Sequence, residues 1–231
     1  MVTARILVAD DHEVVRKGIR AILEGHPGWE VCGEAADGRE AVEKAEALKP
    51  DVVIVDIGMP LLNGLDATRQ ILKARAATRV LVLTMHESEQ VVQQVLEAGA
   101  RGYLLKSDAS RDLINAVEEL KRNKTFFTSK VAQLVLETFL RRRPHPDGNV
   151  PNLLTPRERE VVQLLAEGKS TKEVAVTLDL SVKTAETHRS NIMRKLDIHS
   201  ISELVLYAVR NNIVQAMPPA LGGAAPTERQ S

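Results

Sequence analysis

The chain has 231 residues, 44% hydrophobic and 27% charged, with Lys+Arg and Asp+Glu equal at 31 each. That length predicts one large domain or, better, two of ordinary size, and the composition is that of a soluble globular protein. The lone cysteine, Cys32, excludes an internal disulfide; with neither a signal peptide nor an apolar run long enough to span a bilayer, a cytoplasmic protein without membrane contact is expected. Charge is unevenly spread, with 17 basic against 20 acidic residues over 1–125 and 14 against 11 beyond, too small a difference to imply nucleic acid by itself.

From Ala4 to about Arg122 short apolar runs alternate five times with amphipathic stretches. The runs are Ile6–Ala9, Trp29–Cys32, Val52–Val55, Val80–Leu83 and Gly102–Leu105. Between them Val15, Ile19 and Ile22 recur at helical spacing, as do Val91, Val95 and Leu96, then Leu113, Val117 and Leu120. This alternation predicts a doubly wound, flavodoxin-like (βα)₅ α/β domain with strand order 2-1-3-4-5, strands one and three meeting at the switch point. Cys32, inside the second run, reads as an inert core thiol.

The first run ends in Asp10 and Asp11 and the third in Asp56, so three carboxylates converge at the carboxyl edge of the sheet. Such a cluster suits a divalent cation with hard oxygen ligands, Mg²⁺, which would relieve the mutual repulsion. Mg²⁺ there could also orient a phosphate for attack by a carboxylate, giving an acyl phosphate. Thr84 closes the fourth run and Lys106 follows the fifth, a hydroxyl and an ammonium able to cradle phosphoryl oxygens. Any one of these residues alone reads as a cap or a solvated side chain; the conjunction at four strand ends is far rarer. A haloacid-type phosphatase also uses a strand-end Asp, but it wants a second acid two residues on, where this chain has Gly58.

These residues resemble the receiver domain of two-component response regulators over about residues 4–122. Asp10-Asp11, Asp56, the Met59-Pro60…Gly64 turn, Thr84, Ala98-Gly99-Ala100 and Gly102-Tyr103-Leu104-Leu105-Lys106 carry the likeness. The resemblance implies that Asp56 accepts phosphate from a sensor histidine kinase. It implies Mg²⁺ held by Asp11, Asp56 and the Gly58 carbonyl, with Asp10 acting through water. Lys106 would pair with carboxylate or phosphate, Thr84 would move onto the phosphoryl group, and Tyr103 would change rotamer with it. Gly58 and His86 stand where the family tunes dephosphorylation. Self-directed acyl-phosphate turnover is the only chemistry expected, so the chain is not read as an enzyme.

A further helix is predicted from Ser129 to about Arg141, followed by a Pro-rich linker to Asn152, so 125–152 joins a receiver at 1–124 to a second domain at 153–214. Thr155-Pro156-Arg157-Glu158 opens a helix with a capping box and Pro in the first turn, and Ser170-Thr171-Lys172-Glu173 repeats the box. Ser181 caps a third helix to about Leu196, and a fourth spans roughly Ser200 to Asn211. Residues 215–231, Pro/Gly/Ala-rich from Met217, are expected to be disordered.

In the third helix Ala185, His188, Ile192 and Leu196 form an inward stripe, with His188 read as a core histidine. The opposite face carries Lys183, Glu186, Thr187, Ser190 and Arg194, suited to base edges and phosphates. With the preceding capped helix and a short turn it reads as helix-turn-helix. On spacing alone a bundle that binds a protein partner remains open.

Leu154-Thr155-Pro156-Arg157-Glu158-Arg159-Glu160, Gly168-Lys169-Ser170, the run Ser181 to Arg189 and Asn191-Ile192-Met193-Arg194-Lys195-Leu196 resemble the LuxR-type helix-turn-helix over about 153–211. The resemblance implies duplex DNA, with Glu186, Thr187 and Ser190 facing bases and Lys183, Arg189 and Lys195 on phosphates; Thr184 and Arg194 complete the expected DNA-binding set. The whole chain then resembles a NarL/FixJ-type transcriptional regulator, in which the unphosphorylated receiver masks the reader and phosphorylation favours a DNA-binding homodimer. Ile201, Leu204, Val205 and Ala208 of the last helix are assigned to the dimer seam, which predicts an inverted-repeat promoter site. RNA polymerase is a further partner that this reading leaves open.

Overall fold

The computed structural model describes residues 4–85, 88–128, 131–133 and 153–215. His86, most of the expected 129–141 helix (131–133 are helical), the Pro-rich linker and the tail from 216 lie outside the described residues. Among the described residues no helix is long and apolar enough to cross a membrane.

The first domain runs β1 (Ala4–Ala9), α1 (Glu13–Glu24), β2 (Trp29–Ala35), α2 (Gly38–Leu48), β3 (Val52–Asp56), α3 (Gly64–Ala74), β4 (Arg79–Thr84), α4 (Glu89–Glu97), β5 (Gly102–Leu105), a 3-10 turn (Lys106–Asp108), α5 (Ala109–Lys121) and β6 (Phe126–Phe127). The parallel sheet has the order β2-β1-β3-β4-β5-β6. Alternate strand residues serve opposite faces. Leu7, Val53 and Val82 pack with α2, α3 and α4, whereas Ile6, Ile54 and Leu81 pack with α1 and α5. This two-sided burial explains the unbroken apolar runs.

Two differences from the expected five strands appear. Phe126 and Phe127, assigned above to the linker, add a sixth strand beside β5, one ring joining each core. Strand β2 continues past Cys32 to Ala35, and the β1–β2 register jumps from Ile6↔Val31 to Leu7↔Gly33, leaving Cys32 at a bulge. Its Sγ lies 3.4 Å from the Ile6 carbonyl, and burial pushes the thiol pKa up, which suits an unreactive cysteine.

The second domain comprises α6 (Pro156–Ala166), α7 (Thr171–Thr177), α8 (Val182–Leu196) and α9 (Ile201–Arg210). Thr155 and Ser170 form complete capping boxes with Glu158 and Glu173, and Ser181 and Ser200 cap α8 and α9. Asp179, at φ 52°, turns the chain between α7 and α8. Val161, Leu164, Val174, Ala185, Ile192, Leu204 and Ala208 share one core. Leu204 and Ala208 are both 0% exposed, which corrects their assignment to a dimer seam: they hold α9 in its own bundle. On that helix Ile201 and Leu206 are exposed and Val205 is half-buried.

Candidate functional site

Parallel pairing of β1, β3 and β4 and the turn after β5 bring Asp10, Asp56, Thr84 and Lys106 to one sheet edge. Asp10, Asp56, Thr84 and Tyr103 are buried, whereas Asp11 is exposed. Lys106 Nζ lies 2.7 Å from Asp10 Oδ2 and 3.1 Å from Asp56 Oδ2. Asp10 Oδ1 also accepts from the His12 backbone N–H at 2.9 Å. Asp56 Oδ1 is buried and accepts no hydrogen bond. Burial raises the Asp56 pKa, with Lys106 opposing and Asp10 adding to the shift. For Lys106 burial works the other way, but the Asp56 and Asp10 charges outweigh it and its pKa rises. The ammonium is therefore held charged between two buried acids.

The segment after Asp56 is folded back sharply. The Gly64 N–H donates to the Ile57 carbonyl at 2.9 Å, and a Cβ on Gly64 would lie 1.9 Å from the Asp56 carbonyl oxygen. Only glycine permits that approach. Asp10, Asp11 and His12 offer ligand atoms within 4.8 Å of one another, and His12 Nδ1 lies 2.7 Å from Asp11 Oδ1. Together with the unsatisfied Asp56 oxygen, this oxygen-rich edge fits a hard divalent cation.

On α8 the inward stripe is as expected: Ala185 and Ile192 are buried, and His188 and Leu196 are half-buried. Lys183, Thr184, Glu186, Thr187, Ser190 and Arg194 are exposed on the outer face. Thr184 Oγ1 shares a hydrogen bond with Ser181 Oγ, and the Thr187 hydroxyl donates to the Lys183 carbonyl, so both carry local helix contacts. Arg189 is half-buried with Nη1 3.3 Å from Thr171 Oγ1, tying α8 to α7. Lys195 differs most from its expected role. Its Nζ sits 2.7 and 2.9 Å from the Glu158 carboxylate, a buried group of the first capping box, so it clamps α8 to α6.

The two domains meet across α6, a contact that the sequence did not disclose. Arg159 Nε donates to both Asp66 oxygens at 3.1 Å, and Asp66 also accepts from Arg69 at 2.7 Å and from Asn63 Nδ2 at 2.9 Å. Glu160 accepts from Arg39 at 2.8 Å and Gln70 at 3.0 Å. At the C-terminal end of α9, the Arg210 and Asn211 carbonyls accept from Gln90 and Gln94 of α4. The first domain thus covers α6 and the end of α9, while the outer face of α8 stays exposed. This departs from the masking expected above: the recognition helix is not what the contact buries.

Comparison with known proteins agrees with both halves. Residues 6–118 match the response regulator receiver domain and residues 152–208 the bacterial regulatory proteins of the LuxR family. The transcriptional regulatory protein LiaR of Bacillus subtilis is 40% identical over 91% of this chain and 99% of its own. The response regulator protein VraR of Staphylococcus aureus is 36% identical over 92% of this chain and 100% of its own. Among solved structures, a complex of the two-component response regulator RcsB with DNA is 29% identical over 90% of this chain and 98% of that one, with a TM-score of 0.56. The chain belongs to the two-component response regulators that join a receiver domain to a LuxR-type helix-turn-helix, and it is a DNA-binding transcriptional regulator.

Proposed function

We propose that Asp56 is the phosphoacceptor through which a sensor histidine kinase controls DNA binding. The observation that carries this reading is the pairing at the sheet edge: Lys106 occupies one oxygen of Asp56, and the other is buried without a hydrogen bond. In the reaction Asp56 Oδ1 attacks the donor phosphorus, the bond from phosphorus to the donor atom breaks, and the donor leaves with the electron pair. Lys106 and the Thr84 hydroxyl then face the new phosphoryl oxygens, and Tyr103 repacks with Thr84. Asp11, Asp56 and the Gly58 carbonyl would hold Mg²⁺, with Asp10 acting through water. When bound, Mg²⁺ supplies positive charge to the transferring group.

The phosphorylated chain pairs as a homodimer on inverted-repeat promoter DNA. Glu186, Thr187 and Ser190 read base edges, Lys183, Thr184, Arg189 and Arg194 contact or support the backbone approach, and Lys195 contributes from its Glu158 clamp. Ile201 and Val205 remain at the seam, and RNA polymerase is the downstream partner at the promoter. Because the outer face of α8 is already exposed, control acts through pairing geometry rather than by uncovering the helix. Incubation with acetyl phosphate and Mg²⁺ should add one phosphoryl group per chain. The label should vanish in Asp56→Asn and on chelation; label that survives Asp56→Asn would exclude Asp56 as the acceptor.

A further inference from the structure

The segment that leaves the phosphoacceptor is gripped by the DNA-binding domain. Gln163, on α6, is 1% exposed, and its two amide atoms do different work. Its Nε2 donates to the Met59 carbonyl at 3.0 Å, while its Oε1 accepts the Asn63 backbone N–H at 2.7 Å. Both ends of the Met59–Asn63 turn are therefore fixed by one side chain. Between them Glu167 accepts the Leu61 N–H at 3.1 Å, and Leu61 sits at φ 63°, where a leucine is strained. The Leu61 side chain packs against the core of the second domain. Gly58, Met59, Gln163 and Glu167 line the same cavity as Asp11, of about 420 Å³.

We propose that Gln163 is a positioning residue for phosphoryl transfer: from the DNA-binding domain it holds the loop that carries the Gly58 carbonyl, and so restrains reaction at Asp56. This rests on the phosphoacceptor reading above and extends it to a residue of the other domain. Phosphorylation places a bulky dianionic group beside Asp56 Oδ1, two residues from Gly58 and three from Met59. A loop tied at both ends cannot yield to that group without breaking the Gln163 bonds. Releasing the loop lowers this resistance. By linkage, the phosphoryl group must weaken the Gln163 grip by the factor through which the grip opposes its binding.

The test uses the full chain with acetyl phosphate and Mg²⁺. Gln163→Ala should label about threefold to tenfold faster than wild type at subsaturating Mg²⁺, with a shifted half-saturation for Mg²⁺. Gln163→Glu keeps an acceptor for Asn63 N–H but loses the donor to Met59 and to the Glu167 carboxylate 2.8 Å away, so it should also label faster than wild type. Arg39→Ala cuts the Glu160 contact at the same interface while the loop stays gripped, and should label at the wild-type rate. Hydrogen exchange over 57–63 in metal-free protein should accelerate in Gln163→Ala but not in Arg39→Ala, with the circular dichroism spectrum of both unchanged. Wild-type labelling kinetics in Gln163→Ala would overturn the proposal, as would an equal gain in Arg39→Ala, which would make domain opening alone the cause. No label on wild-type Asp56 would instead sink the phosphoacceptor reading, and this inference with it.

Discussion

Lys106 sets the electrostatics of the sheet edge. Two buried carboxylates close enough to share one ammonium would otherwise repel, and the Lys106 ion pairs to Asp10 and Asp56 satisfy one oxygen of each. What remains is Asp56 Oδ1, buried with neither a hydrogen bond nor an ion pair, a costly arrangement for folding and a suitable one for a nucleophile. Glu158 illustrates the opposite solution, with every nearby donor used. Burial would raise its pKa, but Lys195 together with the Thr155 N–H and hydroxyl outweighs burial and lowers it. A carboxylate whose folded pKa is depressed contributes stability above its unfolded value and loses it as the pH falls through the folded one. Glu158→Gln should therefore destabilise the second domain by about 1–2 kcal/mol at neutral pH. The deficit should shrink once the pH drops below the ordinary carboxylate value of 4.5. Urea unfolding followed from pH 7 to pH 4 measures it; a deficit that is constant with pH would show that the charge on Glu158 contributes nothing.

At the scale of elements, what the sequence disclosed was local. Thr155 with Glu158, Ser170 with Glu173, Ser181 and Ser200 were readable as helix starts because each cap closes within three residues. Strands β1, β3 and β4 were readable because burial on both faces demands unbroken apolar runs. Strand β6 was not: two phenylalanines are too short to show a period, and only their pairing with β5 makes them a strand. The same limit explains Lys195 and Leu204. A lysine on an exposed helix face and a leucine on an apolar helix look free for DNA and for a partner, until packing against α6 and the bundle core claims them. This separates two variants that would seem alike. Lys183 is exposed, so Lys183→Ala should weaken duplex binding across sequences and reduce the salt slope by about 1, with an unchanged unfolding midpoint. Lys195→Ala should lower the midpoint as well, because it strands the buried Glu158 carboxylate. Calorimetry beside a salt titration of binding distinguishes them; equal midpoints would refute the clamp.

For the whole molecule the decisive contacts join residues about ninety or more apart in sequence. Asp66 with Arg159 and Asn63 with Gln163 are pairs of charged or polar residues, and sequence assigns such residues to solvent. Their burial is visible only once the two domains are placed together. The closed arrangement grips the loop after Asp56 and leaves the outer face of α8 exposed, so phosphorylation would act by releasing the domains to pair on DNA. The most direct measurement is the affinity of the full chain for an inverted-repeat duplex, with and without prior acetyl phosphate and Mg²⁺, beside Asp56→Asn under both conditions. Binding should become tighter and dimeric after phosphorylation in the wild type and stay unchanged in Asp56→Asn. Equal affinity and stoichiometry for phosphorylated and unphosphorylated wild type would contradict control by phosphorylation.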